Sequence, residues 1–280
     1  MMNGVLLVNK PSGMTSHDVV AFLRRKLNIK RIGHTGTLDP NATGLLICLV
    51  GNATKIVPYL ERHDKTYFAS LKLGIQTDTA DIWGETLEVA LIPKLNETEI
   101  KDVLHFFLGQ QKQVPPMVSA IKHKGKALYQ YAREGISIER KERDIIIHEL
   151  DFHSYLGDTI RFSVSCSAGT YIRTLCEEIG NKLETLATMS ALNRTRIGNF
   201  QIENAYTLEE IEKGSYELLS LEDALHHLSK VEYHDEKTIL NGKALLLPKT
   251  EDLILIMNQG KALAIYEWKE NQYFCKRGLW

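Results

Sequence analysis

The stretch Gly33-His34-Thr35-Gly36-Thr37-Leu38-Asp39-Pro40-Asn41-Ala42-Thr43-Gly44 runs directly into the apolar segment Leu45 to Val50. Its three glycines reach backbone torsions closed to other residues, and Pro40 fixes the chain just after the acid. A segment of this kind folds as a rigid, exposed loop that feeds a buried element. It also leaves one carboxylate, Asp39, where a bound molecule could reach it. By itself an Asp-Pro pair among glycines is more often a plain turn. Gly33-x-x-Gly36 lacks the Gly-Lys-Ser/Thr ending of a phosphate loop and no GxGxxG is present, so nucleotide cradling is not indicated.

The remaining chain supports an ordinary globular protein. Its 280 residues can bury a full core in one large domain or two, and 44% hydrophobic with 25% charged residues is a normal balance. No apolar run approaches the ~20 residues of a membrane helix. Met1 to Val8 is too short an apolar segment, without a basic leader, for a signal peptide, and reads as the first strand of a cytoplasmic protein. Cys48, Cys166, Cys176 and Cys275 are scattered with no CxxC pair, and the ten histidines form no HExxH, so neither a disulfide framework nor a metal is expected. Cys48 and Cys166 read as small core residues, and His226-His227 as neighbours diverging from a helix.

Periodicity organises the chain. Thr15 and Asp18 resemble a capping box, and Val19, Phe22, Leu23 and Leu27 then recur at helical spacing, which predicts a helix over 16–28 with Arg24, Arg25 and Lys26 on its wet side. Tyr67, Ala69, Leu71 and Leu73 alternate as a strand, as do Ile160, Phe162, Val164 and Cys166. Residues 96–107 and 129–134 read as helices joined through an extended Pro115-Pro116 link. Ala168-Gly169-Thr170 turns into a helix over 171–183, which puts Arg173 in a first turn, where a cation faces the wrong end of the helix dipole and calls for an anionic partner. Residues 205–230 are acidic and read as helical. Short strands follow at 244–247, 253–257, 263–267 and 272–276. The expected fold class is α+β, with a mixed, mainly antiparallel sheet in residues 1–230 and a small β-rich C-terminal module in 231–280.

The Gly33 to Gly44 stretch resembles the catalytic-aspartate motif of the TruB family of tRNA pseudouridine synthases. Further blocks match in the family's order: Leu7-Val8-Asn9-Lys10-Pro11-Ser12-Gly13, Ala53-Thr54-Lys55, Lys65-Thr66-Tyr67, Thr77-Asp78-Thr79-Ala80-Asp81, Pro115-Pro116-Met117-Val118-Ser119-Ala120-Ile121-Lys122, Leu128-Tyr129 and Gly169-Thr170-Tyr171-Ile172-Arg173. The resemblance implies the pseudouridine synthase catalytic fold and a stand-alone, bacterial-type enzyme that isomerises the uridine at position 55 in the T loop of tRNA after flipping it out. The reaction breaks the bond from uracil N1 to ribose C1′ and joins C1′ to C5; it involves no redox or net group transfer, so it needs no cofactor. Asp39 matches the essential catalytic group, already ionised at neutral pH as an ordinary Asp. Arg173 is implied to stand against that carboxylate, where a guanidinium fork orients it. Tyr67 matches the tyrosine that stacks on the target base and is a candidate for C5 deprotonation. His34 is implied to fill the gap left by the flipped base, and Leu192 to border the pocket, although Asn193 stands where a basic residue is more usual. Lys10, Lys55, Lys65, Lys122 and Tyr129 are implied substrate contacts, residues 110–143 an insertion gripping the T arm, and residues 231–280 a PUA-like RNA-binding module. The implied partner is tRNA, with no obligatory protein partner.

A net charge of −1 is unusual for an RNA binder, because phosphate neutralisation supplies much of the affinity. The charge is segregated, however: residues 1–75 hold ten basic against four acidic side chains, residues 110–143 eight against three, and residues 205–237 three against nine. Two other functions fit parts of the pattern. A glycoside hydrolase also uses an Asp at an anomeric carbon, but needs a second carboxylate, for which Asp78, Asp81 or Glu85 would serve. A tRNA-folding factor would use the same surface with its chemistry secondary.

Overall fold

The computed structural model describes residues 2–60 and 63–280. The chain divides into two compact units, one of Met1–Pro40, Leu46–Glu61 and Glu203–Trp280, the other of Asn41–Leu45 and Arg62–Ile202. Among the described residues no helix is long and apolar enough to cross a membrane.

In the first unit, the helix Ser16–Leu27 begins at a complete capping box. Thr15 Oγ1 accepts from Asp18 N, and the Asp18 carboxylate accepts from Thr15 N, so orphan donors at the helix start are satisfied. Asn28 ends the helix in the left-handed conformation. The helix buries Val19, Val20 and Leu23 against Leu6 and Val8 of the strand Gly4–Lys10, Ile32 of the strand Ile32–Thr35, and Leu46, Cys48 and Val50 of the strand Thr43–Val50. Each such side chain contributes roughly 1.5–3 kcal/mol on leaving water.

The C-terminal part of this unit is a four-stranded sheet in the order Ser229–Glu232, Leu253–Asn258, Lys261–Lys269, Gln272–Gly278. Its first pair is parallel and the others antiparallel. Ile254, Ile256, Ala264, Tyr266 and Tyr273 form its core. Three expectations are corrected here. Ala244 to Leu247 contributes only the isolated bridge of Leu245 with Tyr273. Residues 205–230 hold two short helices, Leu208–Lys213 and Leu221–Ala224, the first closed by Gly214 at φ 81°. His226 and His227 lie beyond the second helix, with their rings 5.8 Å apart and edge to face rather than diverging.

The second unit is built on a sheet in which Ala187–Ile197, Lys65–Leu73, Thr159–Cys166, Arg143–Leu156 and Gly109–Gln113 follow one another as antiparallel neighbours. The one parallel pairing in this unit's ladders, among the described residues, joins Asn193 and Arg194 to Thr43 and Gly44. Alternation along Lys65–Leu73 buries Tyr67, Ala69, Leu71 and Leu73. Across the ladder, Ile160, Phe162 and Val164 are buried with them. Helix Ile172–Lys182 packs on Ala187–Ile197 at Gly180, where a Cβ would stand 2.5 Å from that of Ala187. Only glycine permits that approach.

Candidate active site

In the first unit, the loop carrying Asp39 is fastened on both sides of the acid. Leu38 is buried, its N–H donates to Ser16 Oγ (2.9 Å), and Ser16 Oγ donates back to Leu38 O (3.2 Å). On the other side, Lys10 has no exposed surface, and its ammonium donates to the carbonyls of Pro40 (2.9 Å), Pro11 (2.9 Å) and Met14 (2.6 Å). Gly13 N also donates to Pro40 O at 3.0 Å. A buried ammonium needs such acceptors, and here loop carbonyls supply all three. Asp39 itself is half-buried. His34, also half-buried, lies opposite Cys48 in the ladder leading into the loop. Lys55 donates to Trp280 O, and burial, followed by the charges of Arg31 and Arg277, lowers its pKa.

In the second unit, Tyr67 sits in mid-strand, 7% exposed, between Val164 and Arg194 on the neighbouring strands. Arg194 is 1% exposed. Its Nε donates to Leu45 O at 2.8 Å, and its side chain hydrogen-bonds to that of Tyr67. Burial pulls the guanidinium pKa down, while the Tyr67 contact raises it. Leu192, 8% exposed, pairs with Ala69 two residues along the same ladder. Gly44, at φ 102°, lets the chain pass Arg194 so closely that a Cβ there would lie 2.3 Å from Arg194 O.

Arg173 does occupy the first turn of its helix, and it is buried. Nη1 donates to Thr79 O (2.9 Å) and lies 3.9 Å from Asp81 Oδ2, while Nη2 donates to Val118 O (2.7 Å). The Thr77 to Asp81 loop is braced for this task. Thr79 Oγ1 and Trp83 N donate to Asp81 Oδ1, and Thr77 Oγ1 donates to Asp81 O. Burial raises the Glu177 carboxyl one turn along, against the pull of its Gln76 hydrogen bond and the charges of Arg173 and Arg140, and Glu178 is pushed up to about 7 by burial and then by Glu177.

The other expected contacts are dispersed through this unit. Lys65 is nearly buried and donates to His63 O at 2.7 Å. Lys122 is exposed in the short strand Lys122–His123. Tyr129, exposed on the helix Leu128–Arg133, has the Arg133 guanidinium 5.4 Å over its ring.

Two residues of chemical interest do not stand out from sequence for these contacts: Arg194 as the partner of Tyr67, and Asp81 as a neighbour of Arg173. Arg194 follows Leu192 by two in a strand, so parity alone puts it on the buried face.

Residues 24–172 match the family model described as TruB family pseudouridylate synthase (N terminal domain), and residues 173–235 that of the tRNA pseudouridylate synthase B C-terminal domain. The chain is 46% identical over 249 residues to tRNA pseudouridine synthase B of Alkaliphilus oremlandii, covering 87% of this chain and 83% of that relative. It is 43% identical over 287 residues to the protein of the same name from Bacillus subtilis, covering 95% and 93%. Among solved structures it resembles a chain of a Cbf5-Nop10-Gar1 complex, with a TM-score of 0.71 and 28% identity, covering 94% of this chain and 78% of that one.

Proposed function

The chain belongs to the TruB family of pseudouridylate synthases, and from that membership we propose that it converts uridine to pseudouridine at position 55 in the T loop of tRNA, with Asp39 as its catalytic carboxylate. The observation that carries the assignment of the acid is its loop. Lys10 and Ser16 hold the residues on either side of Asp39, which gives the carboxylate a fixed origin. A preset nucleophile or charge stabiliser needs that fixity, because geometry within a fraction of an ångström decides reactivity at C1′.

Around it the roles divide by chemistry. Arg173, locked by two carbonyls, orients the acid and favours its ionised form. Tyr67 stacks on the flipped uracil and takes the C5 proton after the base has turned and C1′ has joined C5. Arg194 keeps the Tyr67 hydroxyl aimed and places positive charge beside an oxygen that must accept a proton. Leu192 closes the apolar side of the pocket, and His34 fills the stack vacated by the base. Lys55, Lys65, Lys122 and Tyr129 contact the RNA, with Lys10 serving the pocket through the loop it holds. Recognition rests on the shape of a folded loop and its splayed bases. The protein acts in the cytoplasm on the T arm, without a protein partner, and its C-terminal sheet is a PUA-like module that adds to tRNA binding.

The test uses an unmodified tRNA transcript tritiated at uracil C5. Release of tritium from the T-loop uridine by the wild type and not by Asp39→Asn is the expected result. Substantial turnover by Asp39→Asn overturns the role of Asp39, and tight tRNA binding without release overturns the reaction.

A further inference from the structure

Gln113 ends the strand Gly109–Gln113 as its one buried residue, 2% exposed, where a strand ordinarily turns an apolar side chain inward. A carboxamide withdrawn from water is costly unless its donor and its acceptor are both used. Here both are used on a single residue. Tyr171 N donates to Gln113 Oε1 at 2.8 Å, and Gln113 Nε2 donates to Tyr171 O at 3.1 Å. Tyr171 stands at the N-cap of the helix Ile172–Lys182, where Ser, Thr, Asp or Asn is usual, and its carbonyl also accepts from Leu175 N at 3.1 Å to start the helix. The Gln113 amide thus fixes where that helix begins, and Arg173 follows two residues later.

The same amide also governs the other end of the Arg173 contact. Five residues beyond Gln113, past Pro115 and Pro116 with their fixed φ angles, Val118 presents the carbonyl that accepts from Arg173 Nη2 at 2.7 Å. The two-point clasp therefore locates both the helix that carries the guanidinium and the stretch that receives it. We propose that Gln113 is a positioning residue for the reaction, holding the Arg173 fork in place through the backbone of Tyr171. The proposal rests on Arg173 acting in the reaction. A displacement of about 1 Å at such a group slows a reaction by up to about a hundredfold. The amide is suited to the task because it donates and accepts at once. An ionised carboxylate of the same length accepts from Tyr171 N but turns a lone pair on Tyr171 O, whereas a protonated one reproduces both bonds.

Single-turnover pseudouridine formation on the tRNA transcript, with tRNA affinity measured alongside, tests this in the full-length protein carrying Gln113→Leu, Gln113→Glu, Arg173→Lys, or Gln113→Leu with Arg173→Lys. Circular dichroism confirms that each is folded at the assay temperature. Gln113→Leu should slow the step at least tenfold at every pH, with tRNA affinity within about twofold of wild type. Measured against wild type at the same pH, Gln113→Glu should come within about threefold at pH 5.5 and fall at least tenfold short at pH 9, since burial favours the protonated carboxyl at the lower pH. A merely structural role would not give that rescue. The double variant should be no slower than the slower single one, because both changes act on one group. A wild-type rate in Gln113→Leu, a loss confined to tRNA affinity, a flat pH ratio in Gln113→Glu, or multiplied losses in the double variant each overturn the proposal. Should Gln113→Leu not fold, the profile of the near-isosteric Gln113→Glu decides alone. If Arg173→Lys is slow while Gln113→Leu is not, the role of Arg173 stands and that of Gln113 falls; Arg173→Lys at the wild-type rate removes both.

Discussion

Arg194 faces Tyr67 across the strand ladder, and its guanidinium hydrogen-bonds to the tyrosine side chain from a position almost closed to solvent. Such a pair couples strongly because neither partner can turn to water instead. The double-mutant cycle of Arg194→Met and Tyr67→Phe should show an interaction energy of about 1–3 kcal/mol in urea unfolding. Additive single effects would refute the contact as an energetic unit.

Removing the Tyr67 hydroxyl alone tests its chemical role. Tyr67→Phe should bind tRNA normally but stop after the N1 to C1′ bond is broken, leaving tritium on C5. Pseudouridine formed at the wild-type rate would show that another group takes the proton.

Arg173→Lys keeps the charge and loses the fork that reaches Thr79 O and Val118 O together. Single-turnover pseudouridine formation should slow at least tenfold, equivalent to about 1.4 kcal/mol in the barrier, with tRNA affinity little changed. An unchanged rate would remove Arg173 from the reaction.

Lys10→Met should lower stability by about 3 kcal/mol, since three loop carbonyls lose a charged donor in the interior. At temperatures where the variant remains folded, its pseudouridine yield should still fall, because the loop beside Asp39 loosens. A folded variant with full activity would mean that Ser16 and Gly13 suffice.

Glu178, pushed up to about 7, holds a proton in the folded protein that the unfolded chain releases near pH 4.5. Between those values the folded state binds more protons, so this group's contribution to stability declines as pH rises through that window. Glu178→Gln should flatten that decline and leave the variant about 1 kcal/mol more stable than wild type at pH 8, a figure reduced for the group's access to solvent. Parallel stability profiles from pH 5 to 8 would contradict it.

Elements with a strong period are readable from sequence. The helix Ser16–Leu27 and the strands Lys65–Leu73 and Thr159–Cys166 fall where their apolar spacing puts them, because each buries one stripe or one face. The pieces that escape depend on partners far along the chain. Ala244 to Leu247 has strand-like residues but finds a partner only at Leu245. The strand Ser229–Glu232 exists because Leu253–Asn258 offers a parallel edge, and nothing local announces that. The hairpin of Ile75–Thr77 with Thr86–Val89 carries no burial signal, since the latter strand is exposed along its whole length. At the site, motif spacing marks Asp39, Tyr67 and Arg173 as candidates, whereas Arg194 is hidden by its type: a cation does not advertise burial, and only strand parity and its partners reveal it.

The fastenings of the Asp39 loop have a temporal side. Lys10 with Pro40, Gly13 with Pro40 and Ser16 with Leu38 all join residues within the first forty of the chain. A ribosome making this protein therefore releases every member of that clasp long before the strands Leu253–Asn258 to Gln272–Gly278 are synthesised. Loops that short also close quickly and with little entropy lost. Asp39 is thus placed by the earliest part of the molecule, and substitutions in the late C-terminal sheet can vary without first disturbing where it sits in its own loop.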